Sequence, residues 1–105
     1  MPDAADATIL HLTERALWDA ARARGVYEMS TRGRTLQEEG FVHCSTAAQL
    51  PGVAKAFYAG LDDLVLLVVD PALLDAEVRY EGGFPHVYGP IPVNAVVEVR
   101  AWPGV

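Results

Sequence analysis

With 105 residues, 51% of them hydrophobic, and a formal net charge of −6, the chain is sized for one domain whose single core needs no metal or disulfide staple. One lysine, Lys55, stands beside seven arginines, and an acidic chain with no basic stripe is a poor general partner for a phosphate backbone. No apolar run approaches the roughly 18 to 20 residues of a membrane span, and the lone Cys44 has no partner for an internal disulfide.

The segment Met1 to Ala7 is neither basic nor apolar, so it reads as a frayed lead-in to a single domain over residues 8–105, and a cytoplasmic location follows as an expectation. Thr8 to Leu12 is a short apolar strand. Thr13 is placed to cap a helix running from Glu14 towards Arg24, where Gly25 stops it, and Leu17, Ala20 and Ala21 keep helical spacing. Val26 to Met29 reads as a second strand. Ser30 to Gly40 is polar, carries two glycines and is the longest candidate loop.

Gly40 to Ser45 is a strand entering a turn, and Thr46 with Gln49 has capping-box spacing. Pro51 would remove a hydrogen bond from a helix begun at Thr46. The spacing therefore predicts a short turn over 46–49 and a second main helix with Pro51 in its first turn, ending near Tyr58. Leu64 to Val69 has no polar alternation, the pattern of a central strand covered on both faces. Asp70-Pro71 ends it. One helical turn over Ala72 to Leu74, a strand over Glu77 to Glu81, a flexible Gly82-Gly83 break, a rigid proline-rich loop from Phe84 to Pro92 and a strand over Val93 to Trp102 complete an α+β order.

Each histidine precedes a hydroxyl by two residues: His11 and Thr13, His43 and Ser45, His86 and Tyr88. Residues two apart on a strand share a face, so three such pairs suggest one polar cleft. The plainer reading of each histidine, a packing residue satisfied by a hydrogen bond, stays open. Phe41, His43 and Ser45 share one face while Val42 and Cys44 share the other, so Cys44 is expected in the core rather than as a nucleophile. Arg32 and Arg34 flank Gly33, placed to grip a small anion or simply to be solvated. No metal ligand is assigned, because the histidines form no short pair or i, i+4 motif. Glu81, beside the two glycines, is a better acid–base candidate than Asp62 or Asp63 in their turn. The glycines form neither a P-loop nor a dinucleotide fingerprint.

Ile9-Leu10-His11-Leu12-Thr13, Glu39-Gly40-Phe41-Val42-His43-Cys44-Ser45-Thr46, Phe57-Tyr58, Asp63-Leu64-Val65-Leu66-Leu67 and Phe84-Pro85-His86-Val87-Tyr88-Gly89-Pro90 cover nearly the whole chain. Together they resemble a family of small bacterial proteins known as domain of unknown function 952, which implies no particular activity. A more distant likeness is to the ADP-ribosyltransferase fold, a compact domain of two small, mainly antiparallel sheets and two main helices split around a nicotinamide-nucleotide cleft. That likeness implies cofactor contacts at His11 with Thr13 and at Ser45-Thr46, and it sets Tyr88 where the fold carries its catalytic glutamate.

The expectation is a protein or enzyme for a nucleotide-like small molecule, NAD or an ADP-ribose-like nucleotide. His11 and Ser45 would hold ribose hydroxyls, Arg32 or Arg34 would meet phosphate, and His43, His86 and Tyr88 would supply acid–base or orienting hydrogen bonds, with no glutamate for ordinary ADP-ribosyl transfer. The alternatives are a three-histidine metal-dependent hydrolase and a non-catalytic domain that binds a peptide or metabolite. Nothing in the residues sets an oligomeric state.

Overall fold

The computed structural model describes residues 8–102, so the lead-in expected over residues 1–7 lies outside the described residues. The first apolar run forms β1 (Ile9–Glu14) and passes directly into α1 (Arg15–Arg24). Thr13 does not cap this helix. It stays in the strand, Glu14 takes the N-cap position without a side-chain cap bond, and the Thr13 hydroxyl is used inside the protein. Gly25 ends α1 at φ 92, the left-handed conformation in which glycine carries no steric penalty. Trp18 and Ala21 form the buried face of the helix.

The polar stretch that follows is not a long loop. After β2 (Val26–Tyr27), a hairpin of β3 (Met29–Thr31) and β4 (Arg34–Thr35) leads into α2 (Leu36–Glu39). Thr35 and Glu38 start that helix with a capping box: the Thr35 N–H donates to Glu38 Oε1 at 2.8 Å and the Glu38 N–H donates to Thr35 Oγ1 at 3.2 Å. Then come β5 (Val42–His43), a 3-10 turn over Ala47–Gln49 and α3 (Leu50–Phe57) with Pro51 in its first turn, the division that Pro51 requires.

β6 (Leu64–Val69) is buried along its whole length, and a 3-10 turn over Pro71–Leu73 follows it. β7 (Val78–Glu81) and β8 (Phe84–Val87) form a hairpin where a glycine break and a proline-rich loop were expected. Gly82 and Gly83, at φ 59 and 85, make its two-residue turn, which needs positive φ at both positions. That turn makes Glu81 and Phe84 the hydrogen-bonded pair, so Tyr80 and Pro85 meet at a position where the hairpin needs no N–H from Pro85. On its other side the Pro85 carbonyl accepts from the Cys44 N–H at 2.9 Å. β9 (Ile91–Pro92) and β10 (Val96–Trp102) complete the chain of elements.

The domain is α+β, and among the described residues its strands form four small sheets where two were expected. Two have three strands, in the orders β1-β6-β10 and β5-β8-β7, and two are ribbons, β2-β9 and β3-β4. All these pairings are antiparallel. A Leu10–Ser45 bridge, with N–H···O distances of 2.9 and 2.7 Å, ties the two larger sheets together. Strand alternation divides the core at β6: Val65, Leu67 and Val69 pack with Trp18 and Tyr27, while Leu64 and Leu66 pack with α3 and Leu12. Among the described residues, no helix is long and apolar enough to cross a membrane.

Candidate functional site

The three histidines divide into one inside the protein and two at its surface. His11 is 2% exposed; its Nδ1 lies 2.8 Å from the His43 backbone oxygen and its Nε2 lies 2.8 Å from the Tyr27 hydroxyl. The Tyr27 hydroxyl is in turn 2.7 Å from Thr13 Oγ1. Burial pulls the His11 pKa down to about 4, so the ring is neutral at pH 7. A carbonyl oxygen only accepts, so Nδ1 carries the ring hydrogen and Nε2 accepts from Tyr27, whose oxygen then accepts from Thr13; a protonated ring turns both hydroxyls the other way, Tyr27 donating to Thr13.

His11 and Thr13 are therefore buried core residues joined through the Tyr27 hydroxyl and not the lining of a ligand cleft. With both His11 nitrogens engaged, the three-histidine metal site has no geometry here, and among the described residues no group of three or more His, Cys, Asp or Glu is arranged to hold a metal ion. Ser45, 3% exposed, is buried at its bridge to Leu10. Thr46 starts the turn into α3, where its N–H donates to Gln49 Oε1 at 2.9 Å. These four residues, expected as cofactor contacts with His11 and Ser45 on the ribose, hold the scaffold.

Cys44 is fully buried, as its alternation with His43 implies, and burial pushes its thiol up to about 12. We expect a thiol reagent at pH 8 to label the native protein about a hundredfold or more slower than the urea-unfolded chain. Rapid stoichiometric labelling without unfolding would place the thiol elsewhere.

The other two histidines meet on the β5-β8-β7 sheet. The antiparallel register sets His43 opposite His86, and their ring centroids are 5.3 Å apart. His86 Nδ1 donates to Glu81 Oε1 at 2.7 Å, and the Tyr88 hydroxyl donates to the same oxygen. The ring of Phe41 stacks on His86 at 4.0 Å and 13°. The bonds from Tyr88 and His86 hold the Glu81 carboxyl below the usual carboxylate range, while that carboxylate pushes the Tyr88 phenol up. His43 is pulled down by partial burial and then by His86 beside it.

The Arg79 guanidinium stands 4.9 Å over the Tyr88 ring. Gly89 matters for this placement: a Cβ there would lie 2.7 Å from the Ala76 Cβ, so only glycine lets the segment close behind Tyr88. Where the distant likeness implied a site stripped of its glutamate, the hairpin brings the Glu81 carboxylate to the Tyr88 hydroxyl from the neighbouring strand.

Beside this cluster, α3 and the hairpin leave an open groove of about 300 Å³ lined by Ala48, Gln49, Gly52, Val53, Phe57 and Phe84. The Phe84 and Phe57 rings lie 4.8 and 6.5 Å from the His43 ring, so His43 joins the apolar groove to the polar cluster. Gln49 Nε2 donates to the Gly83 carbonyl at 2.8 Å and clamps the hairpin turn to the start of α3. The two loop arginines separate. Arg34 is ion-paired with Glu39, whereas Arg32 reaches the α3 terminus, where its Nη1 donates to the Phe57 carbonyl at a long 3.4 Å.

Of the residues expected at the site, the structure brings together His43, His86 and Tyr88, while Arg32 bonds the backbone carbonyl of Phe57, a residue of the groove. Phe57, Phe84 and Arg79 carried no local signal of a site. Their roles come from a hairpin and a helix terminus meeting in space.

The fold and the cluster together define a small α+β domain with a carboxylate–imidazole surface site next to an aromatic groove. The chain belongs to the family described as "Protein of unknown function (DUF952)", whose model matches residues 12–99. It is similar to protein CC0527 from Caulobacter crescentus. The X-ray structure of that protein is 34% identical, with a TM-score of 0.78 over 90% of this chain and 84% of that one. Its solution NMR structure is 32% identical, with a TM-score of 0.75 over 92% and 85%. No curated protein matches the chain.

Proposed function

We propose that this chain binds a nucleotide-like small molecule, with a planar ring laid against Phe57 and Phe84, a phosphate reaching Arg32, and the sugar or reacting group turned towards His43, His86 and Glu81. The observation that carries the reading is the position of His43, in ring contact with the groove's two phenylalanines on one side and with the Glu81-bound His86 on the other. Aromatic walls suit a base. The weak bond that holds Arg32 to a helix-end carbonyl is one that an anionic ligand displaces at small cost.

The cluster also has the parts of an acid–base centre. Glu81 accepts from Nδ1 of His86, which orients the ring and leaves Nε2 as the nitrogen that takes or returns a proton. His43, its pKa pulled down by partial burial and then by His86, is a second acceptor beside it. The ADP-ribosyltransferase likeness belongs to this proposal as the source of the nucleotide class, with Glu81, bonded by His86 and Tyr88, orienting those two side chains rather than meeting a sugar cation.

Calorimetric titration with NAD, ADP-ribose and cyclic phosphates, alongside a nicotinamide-release assay, tests it. Binding without nicotinamide release is the expected result, weakened about tenfold or more by Arg32→Ala and by His86→Ala. No binding by any of these compounds removes the nucleotide reading, and brisk release makes the cluster a glycohydrolase centre rather than a binding site alone.

A further inference from the structure

We infer that two copies of this chain pair through β10, edge to edge and antiparallel, so that two β1-β6-β10 sheets become one six-stranded sheet. The two edges of the sheet are unequal. At Leu10 the outer side of β1 is bridged by Ser45, whereas among the described residues no strand lies outside β10. Val97 and Val99 on that edge are 54% and 41% exposed. A seven-residue edge strand with open valines is a template for another strand.

The residues around Val99 identify the strand that fits. Antiparallel pairing of β10 with its own copy, centred on Val99, sets Val99 against Val99 and Glu98 against Arg100, and two-fold symmetry repeats the charge pair in the other direction. Centring on Glu98 or on Arg100 would set like charges face to face. Within one chain Arg100 already donates to Glu98 at 2.6 and 3.0 Å, so both side chains stand on the same face, ready to form a ring of four alternating charges.

The irregularity between Val96 and Glu98 interrupts the strand on one side of this register, and by symmetry this confines regular pairing to Glu98, Val99 and Arg100 of each copy. Because β10 is, among the described residues, the edge of this sheet that no strand or bridge covers, the assembly closes at two copies. The short shared segment gives a reversible dimer rather than a permanent one.

Sedimentation equilibrium of the full chain from about 1 to about 300 μM tests the inference, since a small interface associates weakly. The wild type is expected to dimerise. Glu98→Arg, which turns a guanidinium towards Arg100 of the second copy, is expected to weaken the dimer about tenfold or more, and the charge-swapped pair E98R/R100E is expected to restore it. Circular dichroism confirms that each variant is folded. As a readout without mutation, amide exchange in β10 of the wild type slows as concentration rises. A monomer across the range, or a dimer indifferent to Glu98→Arg, overturns the proposal and in the second case points to another edge, such as β7.

Discussion

Acidifying the protein from pH 7 to pH 4 is expected to remove about 3 kcal/mol of folding stability through His11 alone. Its pKa is 6.5 in an unfolded chain and about 4 in the fold, lowered by burial that outweighs the favourable bond to the His43 carbonyl. Between these values the unfolded chain holds a proton that the folded chain refuses. Stability is therefore fully present above pH 6.5 and falls progressively as the pH drops towards 4.

By pH 5 the loss is already about 2 kcal/mol. His43, also pulled down, adds a smaller slope of the same sign. Urea denaturation at pH 7, 6 and 5 measures the effect. His11→Asn is expected to be less stable at pH 7 yet to lose most of the pH dependence across this window, keeping the smaller slope of His43. A wild type equally stable at pH 7 and pH 5 would mean that His11 is not buried as described.

Leu67→Ala is expected to cost about 2–5 kcal/mol, the larger part of a small domain's stability. Leu67 is fully buried at the middle of β6, opposite His11 in β1 and Val99 in β10. Strands hydrogen-bonded on both sides cannot move in to fill the void, so the cavity persists and the cost stays high. Leu73→Ala, at a position 48% exposed, is expected to change stability by no more than about 0.5 kcal/mol. Urea midpoints of the two variants make the comparison, and a Leu67→Ala loss below about 1 kcal/mol would show a core able to collapse around the gap.

Features decided by local chemistry were legible in the sequence. Pro51 cannot sit inside a helix begun at Thr46, and the uninterrupted run Leu64–Val69 has no face suited to water, so the split before α3 and the central strand both follow from neighbouring residues. Thr35 and Glu38 had the same quality. Their capping box stood in the polar stretch and was masked by the glycines on either side. Pro85 misled in the opposite direction, because whether a proline breaks a strand depends on which side its missing N–H faces, and that is set by the register of a hairpin.

The site was half legible for a related reason. The spacing of His11 with Thr13 matches that of His86 with Tyr88, and in each case a third residue closes the pair: Tyr27 for the first, Glu81 for the second. One closing residue is buried and the other is solvated. Spacing shows that an imidazole and a hydroxyl share a face, but not whether that face looks inward or outward.

The central position of β6 also governs when the polypeptide can fold during its synthesis. Its two neighbours come from far apart in the chain, β1 before it and β10 after it, so the sheet closes only once both have left the ribosome. Until β10 emerges, six consecutive apolar residues present an unpaired edge. Pairings this distant in sequence make folding slow, on the order of milliseconds to seconds, and nascent chains stalled before Val96 are the species most in need of a chaperone.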